Sequence, residues 1–119
     1  MIDAKVMAAI LDSLKEPILV ADTDHVTRYM NKAAVDYYEE GDCLLGRSLL
    51  ECHNEQSQAT MIEILAAMQA RGLEERLITD NEKYRIFMRA VRDPGGRVLG
   101  YYERYEPPRI KPGAQDSDG

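Results

Sequence analysis

The chain has 119 residues, 45% of them hydrophobic, and a formal net charge of −6 at pH 7. This length gives room for one domain with its own core. The acidic balance excludes the basic surface with which nucleic-acid binding normally starts, so we expect no nucleic-acid partner. The first residues include acidic side chains and no continuous apolar run, which fits neither a secretory signal nor a membrane span. We therefore expect a cytoplasmic domain without a membrane partner.

The start of the chain carries a stripe of apolar residues at spacings of three to five, which predicts an amphipathic helix over residues 2–14. This stripe either covers the domain's own sheet or also packs on the same helix of a second copy, in a homodimer. In the second interpretation the interface consists of Ile2, Val6, Met7, Ile10, Leu11 and Leu14.

A hairpin and a helix follow. Residues 17–21 are apolar, the turn after them carries Asp22 and Asp24, and residues 25–30 form the second strand. Asn31 suits the start of a helix that runs to about residue 40, because its side-chain oxygen can accept from free N–H groups of the first turn. We expect Asp24 to shape the turn and Asn31 to cap the helix.

The middle of the chain predicts a long helix. Residues 43–52 are apolar but interrupted by Gly46, so they predict one or two short helical turns and not a strand. Asn54 can cap the next helix, over residues 55–71, and Gly72 can end it because glycine tolerates the left-handed conformation.

Three more strands complete the pattern, over residues 73–79, 83–92 and 97–106, and a Pro-Gly turn joins the last two. The order of elements predicts an α+β fold. It consists of a five-stranded antiparallel sheet with helices inserted between the second and third strands, and an N-terminal amphipathic flanking helix. The expected divisions are a flanking helix at 1–15, the domain at 16–107 and a disordered tail at 108–119.

Several short motifs occur in a characteristic order. They are Asp24-His25-Val26 with Tyr29-Met30-Asn31 and Ala33-Ala34, then Leu45-Gly46-Arg47-Ser48-Leu49, and finally Asp93-Pro94-Gly95-Gly96 with Gly100. In this order the chain resembles a PAS domain over residues 5–106. The run Cys52-His53 also resembles a subgroup of bacterial PAS modules with a Cys-His-Pro-Pro run, and that match is partial because Asn54 and Glu55 replace the prolines.

The resemblance implies a non-catalytic sensor domain in signal transduction. Its sheet would cup a small-molecule pocket under the helices and signal as a homodimer to a partner protein or output domain, with residues 17–30 as the central strand pair. A ligand-free dimerisation or docking module is the alternative function. If a ligand binds, we expect its pocket among Tyr29, Tyr37, Leu49, Cys52, His53, Met61, Leu65, Ile86, Met88 and Tyr102.

The sequence leaves the cofactor open. A flavin photoreceptor of the light-oxygen-voltage kind would carry a reactive Cys three residues after the Gly, but this chain has Leu49 there and no thiol until Cys52. Non-covalent flavin would find no Trp to stack on its ring. His53 is the candidate haem ligand, so a haem-binding redox or gas sensor is the second alternative.

Neither cysteine indicates a structural site. Cys43 and Cys52 are expected to be free thiols in a reducing compartment. Glu51, Cys52 and His53 supply metal-ligand chemistry, but adjacent residues seldom converge on one ion, so we predict no metal site. Redox activity of Cys52 stays open, because it depends on access to the thiol and on the thiol pKa.

Alternation along residues 83–92 separates two faces of a strand. We expect its basic side chains on the outer face of the sheet and Ile86 and Met88 on the inner face. Arg104 would need a carboxylate partner if buried, which an acidic ligand could supply. The outer basic residues and their expected cross-strand partners are Lys83, Arg85 and Arg89 with Glu74, Glu75 or Glu103.

No catalytic motif is present in the sequence. The chain has no nucleophile elbow, no phosphate-binding glycine loop and no His-Glu-x-x-His, and its two histidines have no evident nucleophile beside them. We therefore predict that the domain is not an enzyme.

Overall fold

The computed structural model describes residues 3–38 and 41–108, without the side chain of Cys52. Ile2 and all but the first residue of the predicted tail lie outside the described residues. The helices are α1 (Ala4–Asp12), α2 (Lys32–Tyr37) and α3 (Glu55–Arg71), with 3₁₀ helices at Gly41–Leu44 and Leu49–Cys52. The strands are β1 (Ile18–Asp22), β2 (Thr27–Met30), β3 (Glu75–Asp80), β4 (Arg85–Arg92) and β5 (Val98–Glu106).

The predicted fold class is confirmed, and the strand order corrects one expectation. All five strands form one antiparallel sheet in the order β2-β1-β5-β4-β3. The expectation that the first hairpin forms the central pair was wrong, because β2 lies at an edge. The nine-residue β5 takes the centre and pairs with β1 on one side and β4 on the other.

Gly100 allows β5 to approach β1 closely. It lies opposite Asp22 in the register of these strands. A Cβ atom at position 100 would lie 2.1 Å from the carbonyl oxygen of Ala21, which is a backbone atom that cannot rotate away. A glycine is therefore required at this point of the sheet.

One face of the sheet, here called the inner face, lies under the helices and forms the core. Its fully buried side chains include Leu19 of β1, Met88 of β4 and Tyr101 of β5. The opposite layer comes mainly from α3, whose buried side chains are Met61, Ile64, Leu65, Ala67 and Met68.

Local signals at the helix ends behave as predicted. The side chain of Asn54 accepts from the N–H of Ser57 at 2.9 Å, which caps α3. Gly72 ends the same helix with φ of +70°, in the left-handed region. Both confirmed signals depend on neighbours in the sequence, which explains why they could be recognised there.

Asn31 caps α2 as predicted and also connects three elements. Its Oδ1 accepts from the N–H groups of Ala34 and Ile18, both at 2.9 Å. Its Nδ2 donates to the carbonyl oxygens of Leu11 at 2.9 Å and Glu16 at 3.0 Å. The side chain is fully buried and thereby ties the end of α1 to the start of β1 and of α2.

The β1–β2 turn is organised by Asp22 and not by Asp24. One carboxylate oxygen of Asp22 accepts from the N–H groups of Asp24 at 2.8 Å and Val26 at 3.0 Å. The other pairs with Arg28 at 2.7 Å. His25, next in the turn, has φ of +63°, which is uncommon for a residue with a side chain.

The outer face of the sheet carries ion pairs that join β5 to β3 across β4. Arg104 pairs with both carboxylate oxygens of Glu75 at 3.0 and 3.1 Å and also contacts Glu106. Its guanidinium lies 4.4 Å from the ring centre of Phe87. Arg104 thus has its carboxylate partners within the chain, and the suggestion that an acidic ligand supplies one was wrong.

The predicted outer-face pairing is confirmed for Arg89 with Glu75 and wrong for Glu103, while Arg85 pairs with Glu106 and Glu74 pairs with Arg92, which the prediction did not include. Arg89 lies 3.7 Å from Glu75, and Arg92 lies 2.6 Å from Glu74. Glu103 is buried instead. Since side chains alternate along a strand, its position one residue before the outward Arg104 places it on the inner face.

Candidate functional site

The inner face contains a buried carboxyl group at the centre of the sheet. Tyr101, Glu103 and Tyr105 alternate along β5, and all three are buried. Glu103 retains only 3% of its exposure. Its cross-strand neighbours are Leu19 and Met88, which are apolar. A carboxyl group in such surroundings is costly unless it is neutral or well hydrogen-bonded.

The hydrogen bonding of Glu103 is incomplete. Its Oε1 accepts from the Tyr38 hydroxyl at 3.4 Å, and that hydroxyl also bonds to the Tyr105 hydroxyl. Within the described part of the chain, Oε2 of Glu103 is buried and has no hydrogen-bond partner. One carboxyl oxygen is therefore left without a donor.

The electrostatics follow from this burial. Loss of solvent raises the pKa of Glu103 to about 7, and the hydrogen bond from Tyr38 opposes that rise only in part. Burial and the Glu103 carboxyl together raise the pKa of the hydroxyls of Tyr38, Tyr101 and Tyr105. These hydroxyls stay protonated, whereas Glu103 changes its charge near neutral pH.

A cluster of four aromatic rings surrounds one end of this group. Tyr37 contacts Tyr38, Tyr84 and Tyr105 edge to face, with ring centres 5.1 to 5.5 Å apart. We call these four residues the tyrosine cluster. It packs the end of α2 against β5 and the start of β4.

A second polar contact lies nearer the start of β5. Nδ1 of His25 lies 2.7 Å from the hydroxyl of Tyr101, and both residues are buried. Burial lowers the pKa of His25, although Asp22 and Asp24 oppose this, so the imidazole is neutral near pH 7. This contact joins the β1–β2 turn to the centre of the sheet.

A cleft of about 240 Å³ opens between the start of α3 and β3. Its lining offers hydroxyl, amide and imidazole groups over an apolar floor, and none of its side chains carries a full charge at neutral pH. Burial lowers the pKa of His53, so its imidazole is neutral near pH 7. The lining residues are His53, Gln56, Ser57, Thr60, Met61, Ile78 and Thr79.

The structure distributes the residues predicted for a pocket over several places. His53 and Met61 line the cleft, and Ile86 lies beside it as the cross-strand partner of Thr79. Tyr37 belongs to the tyrosine cluster and is 44% exposed. The side chain of Cys52 is outside the described residues. Those that pack in the core are Leu49, Leu65 and Met88.

Tyr29 and Tyr102 lie on the outer face of the sheet. Tyr102 is the cross-strand partner of Arg89. The hydroxyl of Tyr29 donates to Asp12 at 2.8 Å and to the carbonyl oxygen of Ala8 at 3.1 Å. Burial and the bond to Asp12 raise the pKa of Tyr29 to about 12. Its role is thus the attachment of α1, away from the cleft.

Sequence reasoning missed Tyr38, Glu103 and Tyr105 as a group. The signal available was the alternation of Tyr101, Glu103 and Tyr105, which puts the three side chains on one face. The pairing by charge with outer-face arginines predicts the wrong face for Glu103. Tyr38 comes from another element, and its proximity to β5 could not be read from its neighbours.

The cleft is small for a haem or a flavin. Pockets for larger ligands occupy roughly 300 to 1,000 Å³, and the cleft beside His53 measures about 240 Å³. His53 is the imidazole in this cleft, and its backbone carbonyl accepts from Gln58 at 2.8 Å. Cys43 is an exposed free thiol.

The apolar stripe of α1 is exposed and does not cover the sheet. The exposed fractions are 46% for Val6, 54% for Met7 and 49% for Ile10, and Leu14, just after the end of α1, is 43% exposed. No residue of α1 is buried. Leu11 is half-buried, and Ile2 lies outside the described residues. This face is the candidate interface of the domain.

Comparisons with known proteins identify the class to which these features belong. The family model described as the PAS fold matches residues 11–108. The chain therefore belongs to the PAS family, as its motifs predicted. PAS domains are in general sensory, non-catalytic modules of signalling proteins.

Solved structures share the fold at low sequence identity. The C-terminal domain of a Streptococcus mutans protein has a TM-score of 0.75 at 18% identity, covering 96% of this chain and 90% of its own. The PAS domain of Bordetella pertussis BvgS has a TM-score of 0.69 at 18% identity. The match covers 95% of this chain and 91% of the BvgS chain.

A third similar structure is described as VqmA bound to DPO. It has a TM-score of 0.64 at 13% identity and covers 91% of this chain but 60% of its own. No curated protein sequence matched the chain. In the part of the chain that the structure describes, no helix is long and apolar enough to cross a membrane.

Proposed function

We propose that this domain is the non-catalytic sensor of a signalling protein, and that it binds a small uncharged polar molecule in the cleft between α3 and β3. The observation that carries the proposal is the cleft lining. It presents hydroxyl, amide and neutral imidazole groups over the apolar side chains of Met61 and Ile78. Such a mixture orients a small polar ligand without attracting an ion.

The size and position of the cleft support the same ligand class. A volume of about 240 Å³ suits a compact molecule. The similar structure is of VqmA bound to DPO, which supports small-molecule binding by this fold. That protein is also longer than this chain, which supports an output domain or partner protein as the recipient of the signal.

The ligand site can be tested by filling the cleft. In the variant Ser57→Phe the aromatic ring would occupy the space between α3 and β3, because Ser57 lines the cleft and is half-exposed. We expect this variant to lose binding of small uncharged alcohols and amides at least about tenfold. Amide chemical-shift titration by NMR measures the affinity.

The matched control is Ala66→Phe, an exposed position on α3 that is not part of the cleft. It should leave the affinities unchanged. If no such compound shifts the amides of His53, Ser57 or Thr60 in the unmodified protein, the ligand-binding proposal is wrong and the ligand-free module is favoured.

We further propose that the domain works as a homodimer through α1. The stripe of α1 is apolar, exposed and continuous along the helix. Another copy of the same stripe is its self-complementary partner, since the two helices would bury it from water and an interface between identical chains is usually two-fold symmetric.

Glutamates in this stripe should dissociate the dimer. The double variant Val6→Glu with Ile10→Glu places two charges per chain where apolar contact is expected. We expect the dissociation constant to rise at least about 100-fold. Sedimentation equilibrium measures it. The matched control Ala4→Glu with Ala9→Glu adds the same charge at exposed positions beside the stripe and should raise the dissociation constant far less. A wild-type monomer at high concentration would refute the interface.

A further inference from the structure

Helix α2 connects the buried carboxyl of Glu103 to helix α1. Asn31 and Tyr38 cap its two ends, and its six residues lie between them. At one end the Tyr38 hydroxyl bonds to Glu103 and Tyr105. At the other end Asn31 bonds to α1. A displacement at either end of so short a helix is transmitted to the other.

The attachment of α2 to α1 depends on hydrogen bonds of two side chains. Nδ2 of Asn31 donates to the carbonyl oxygen of Leu11 at 2.9 Å. Oδ1 of Asp12 accepts from the N–H of Lys32 at 3.0 Å and from the Tyr29 hydroxyl at 2.8 Å. The end of α1 therefore follows the start of α2.

The other end of α2 meets a group that can exist in two charge states. Ionised Glu103 is a buried anion whose donor is the Tyr38 hydroxyl. When Glu103 takes up one proton from solvent on a carboxyl oxygen, its charge disappears and the demand for that donor weakens. Because Tyr38 is shared with Tyr105, the hydroxyl chain can rearrange between these states.

No positively charged side chain among the groups that face Glu103 compensates the charge of its carboxylate. From α2 it meets Tyr38, along β5 its same-face neighbours are Tyr101 and Tyr105, and the adjacent strands supply apolar residues. The buried side chains of α3 are apolar as well. In residues 3–38 and 41–108 the buried polar or charged residues are His25, Thr27, Asn31 and Glu103, so no Lys or Arg is buried there.

We propose that protonation of Glu103 is coupled through Tyr38, α2 and Asn31 to the position of α1, so that the sensor responds to pH as well as to its ligand. Glu103 is buried and its Oε2 has no partner, so this carboxyl is the group that can exist in two charge states. Helix α2 links it to α1. The raised pKa of Glu103, about 7, places the response near neutral pH. Only the output of this switch, a change in dimerisation, rests on the proposed function.

The switch can be tested by following the amides of α1 during a pH titration. We expect the Ala8 and Leu11 amides of the wild-type protein to shift with a common midpoint near 7. The variant Glu103→Gln should abolish this transition. If the transition persists in Glu103→Gln, then His25 or His53 causes it, and the proposal is overturned.

A second variant tests the link separately from the sensor. In Tyr38→Phe the hydroxyl is lost while the ring remains in the tyrosine cluster. The carboxyl ¹³C resonance of Glu103 should still titrate, but the α1 amides should lose most of their response. An unchanged α1 response in this variant would overturn the proposed route through α2.

Dimerisation is measured in parallel, so that the two proposals fail separately. The wild-type dissociation constant should differ about fivefold or more between pH 6 and pH 8, and Glu103→Gln should remove the difference. A monomer at all pH values would refute the dimer but not the switch, which the α1 amides decide. If the protein forms a dimer but neither its dissociation constant nor the chemical shifts of the α1 amides change with pH, the switch alone is refuted.

Discussion

Replacing Asn31 with alanine is expected to lower the free energy of unfolding by about 3 to 5 kcal/mol. The variant removes four hydrogen bonds at once. It leaves the N–H groups of Ile18 and Ala34 and the carbonyl oxygens of Leu11 and Glu16 without this partner. Each unsatisfied buried group costs roughly 1 to 3 kcal/mol, and some of the four would regain water. Denaturant unfolding measures the loss.

Two further variants separate the contributions of Asn31. Asn31→Asp keeps the acceptor for Ala34 and Ile18 but buries a carboxylate whose second oxygen faces two carbonyl oxygens, so near neutral pH it should be no more stable than Asn31→Ala. Asn54→Ala removes a single capping bond to Ser57 from an exposed residue and should cost only about 1 kcal/mol. Equal losses in Asn31→Ala and Asn54→Ala would show that Asn31 acts as a cap alone.

Replacing Glu103 with glutamine is expected to stabilise the domain above neutral pH, by about 1 to 3 kcal/mol. The pKa of Glu103 rises from 4.5 to about 7 in the folded state because the side chain is buried. At 1.36 kcal/mol per pKa unit this shift corresponds to about 3 kcal/mol. The glutamine avoids the ionisation but brings N–H groups that also need acceptors, so the gain is smaller.

The pH dependence has a definite sign. Between about pH 4.5 and 7 the folded state binds more protons at Glu103 than the unfolded state does, so the contribution of this residue to stability falls as pH rises. It is fully lost above the folded pKa. Glu103→Gln should therefore be somewhat less stable than wild type near pH 4.5, where Glu103 is neutral and the glutamine N–H groups lack acceptors, and more stable than wild type at pH 8. Denaturant midpoints at a series of pH values test this.

The control for this prediction is Glu51→Gln. Glu51 forms an exposed ion pair at 2.9 Å with Arg47, four residues before it in the sequence. Its replacement should change stability by less than about 0.5 kcal/mol at any pH. If Glu103→Gln shows the same pH profile as wild type, then Glu103 is not the buried group that titrates.

The parts of the fold that were predictable depend on local chemistry. Asn31 and Asn54 could be recognised as caps, and Gly72 as a helix end, because each acts on residues within a few positions of itself. The alternation in β4 separated Met88 from Arg89 correctly for the same reason. Together with the motifs they led to the right family.

The order of the strands and the face of Glu103 were not predictable in this way. Both depend on pairing between segments far apart in sequence, which composition and periodicity do not report. The resemblance implies β1 and β2 as the central pair, but the four residues of β2 lie at an edge. Glu103 was matched with outer arginines by charge, whereas its position in β5 decides its face.

The candidate site shows the same division between local and distant information. His53 and Met61 were predicted from their place near the start of α3, and they do line the cleft. Thr79 completes the cleft from β3, which no spacing in the sequence indicates. The prediction places Tyr29 and Tyr102 on the inner face, but their strand positions face outward.

The central position of β5 has a consequence for synthesis of the protein in the cell. The β1–β2 and β3–β4 hairpins have no contact in the sheet except through Val98–Glu106, which the ribosome makes after all the other strands. Isolated two-stranded hairpins are marginal in water. The nascent chain must therefore carry two open strand edges until that last segment leaves the exit tunnel, and this interval is when chaperones would protect it from aggregation.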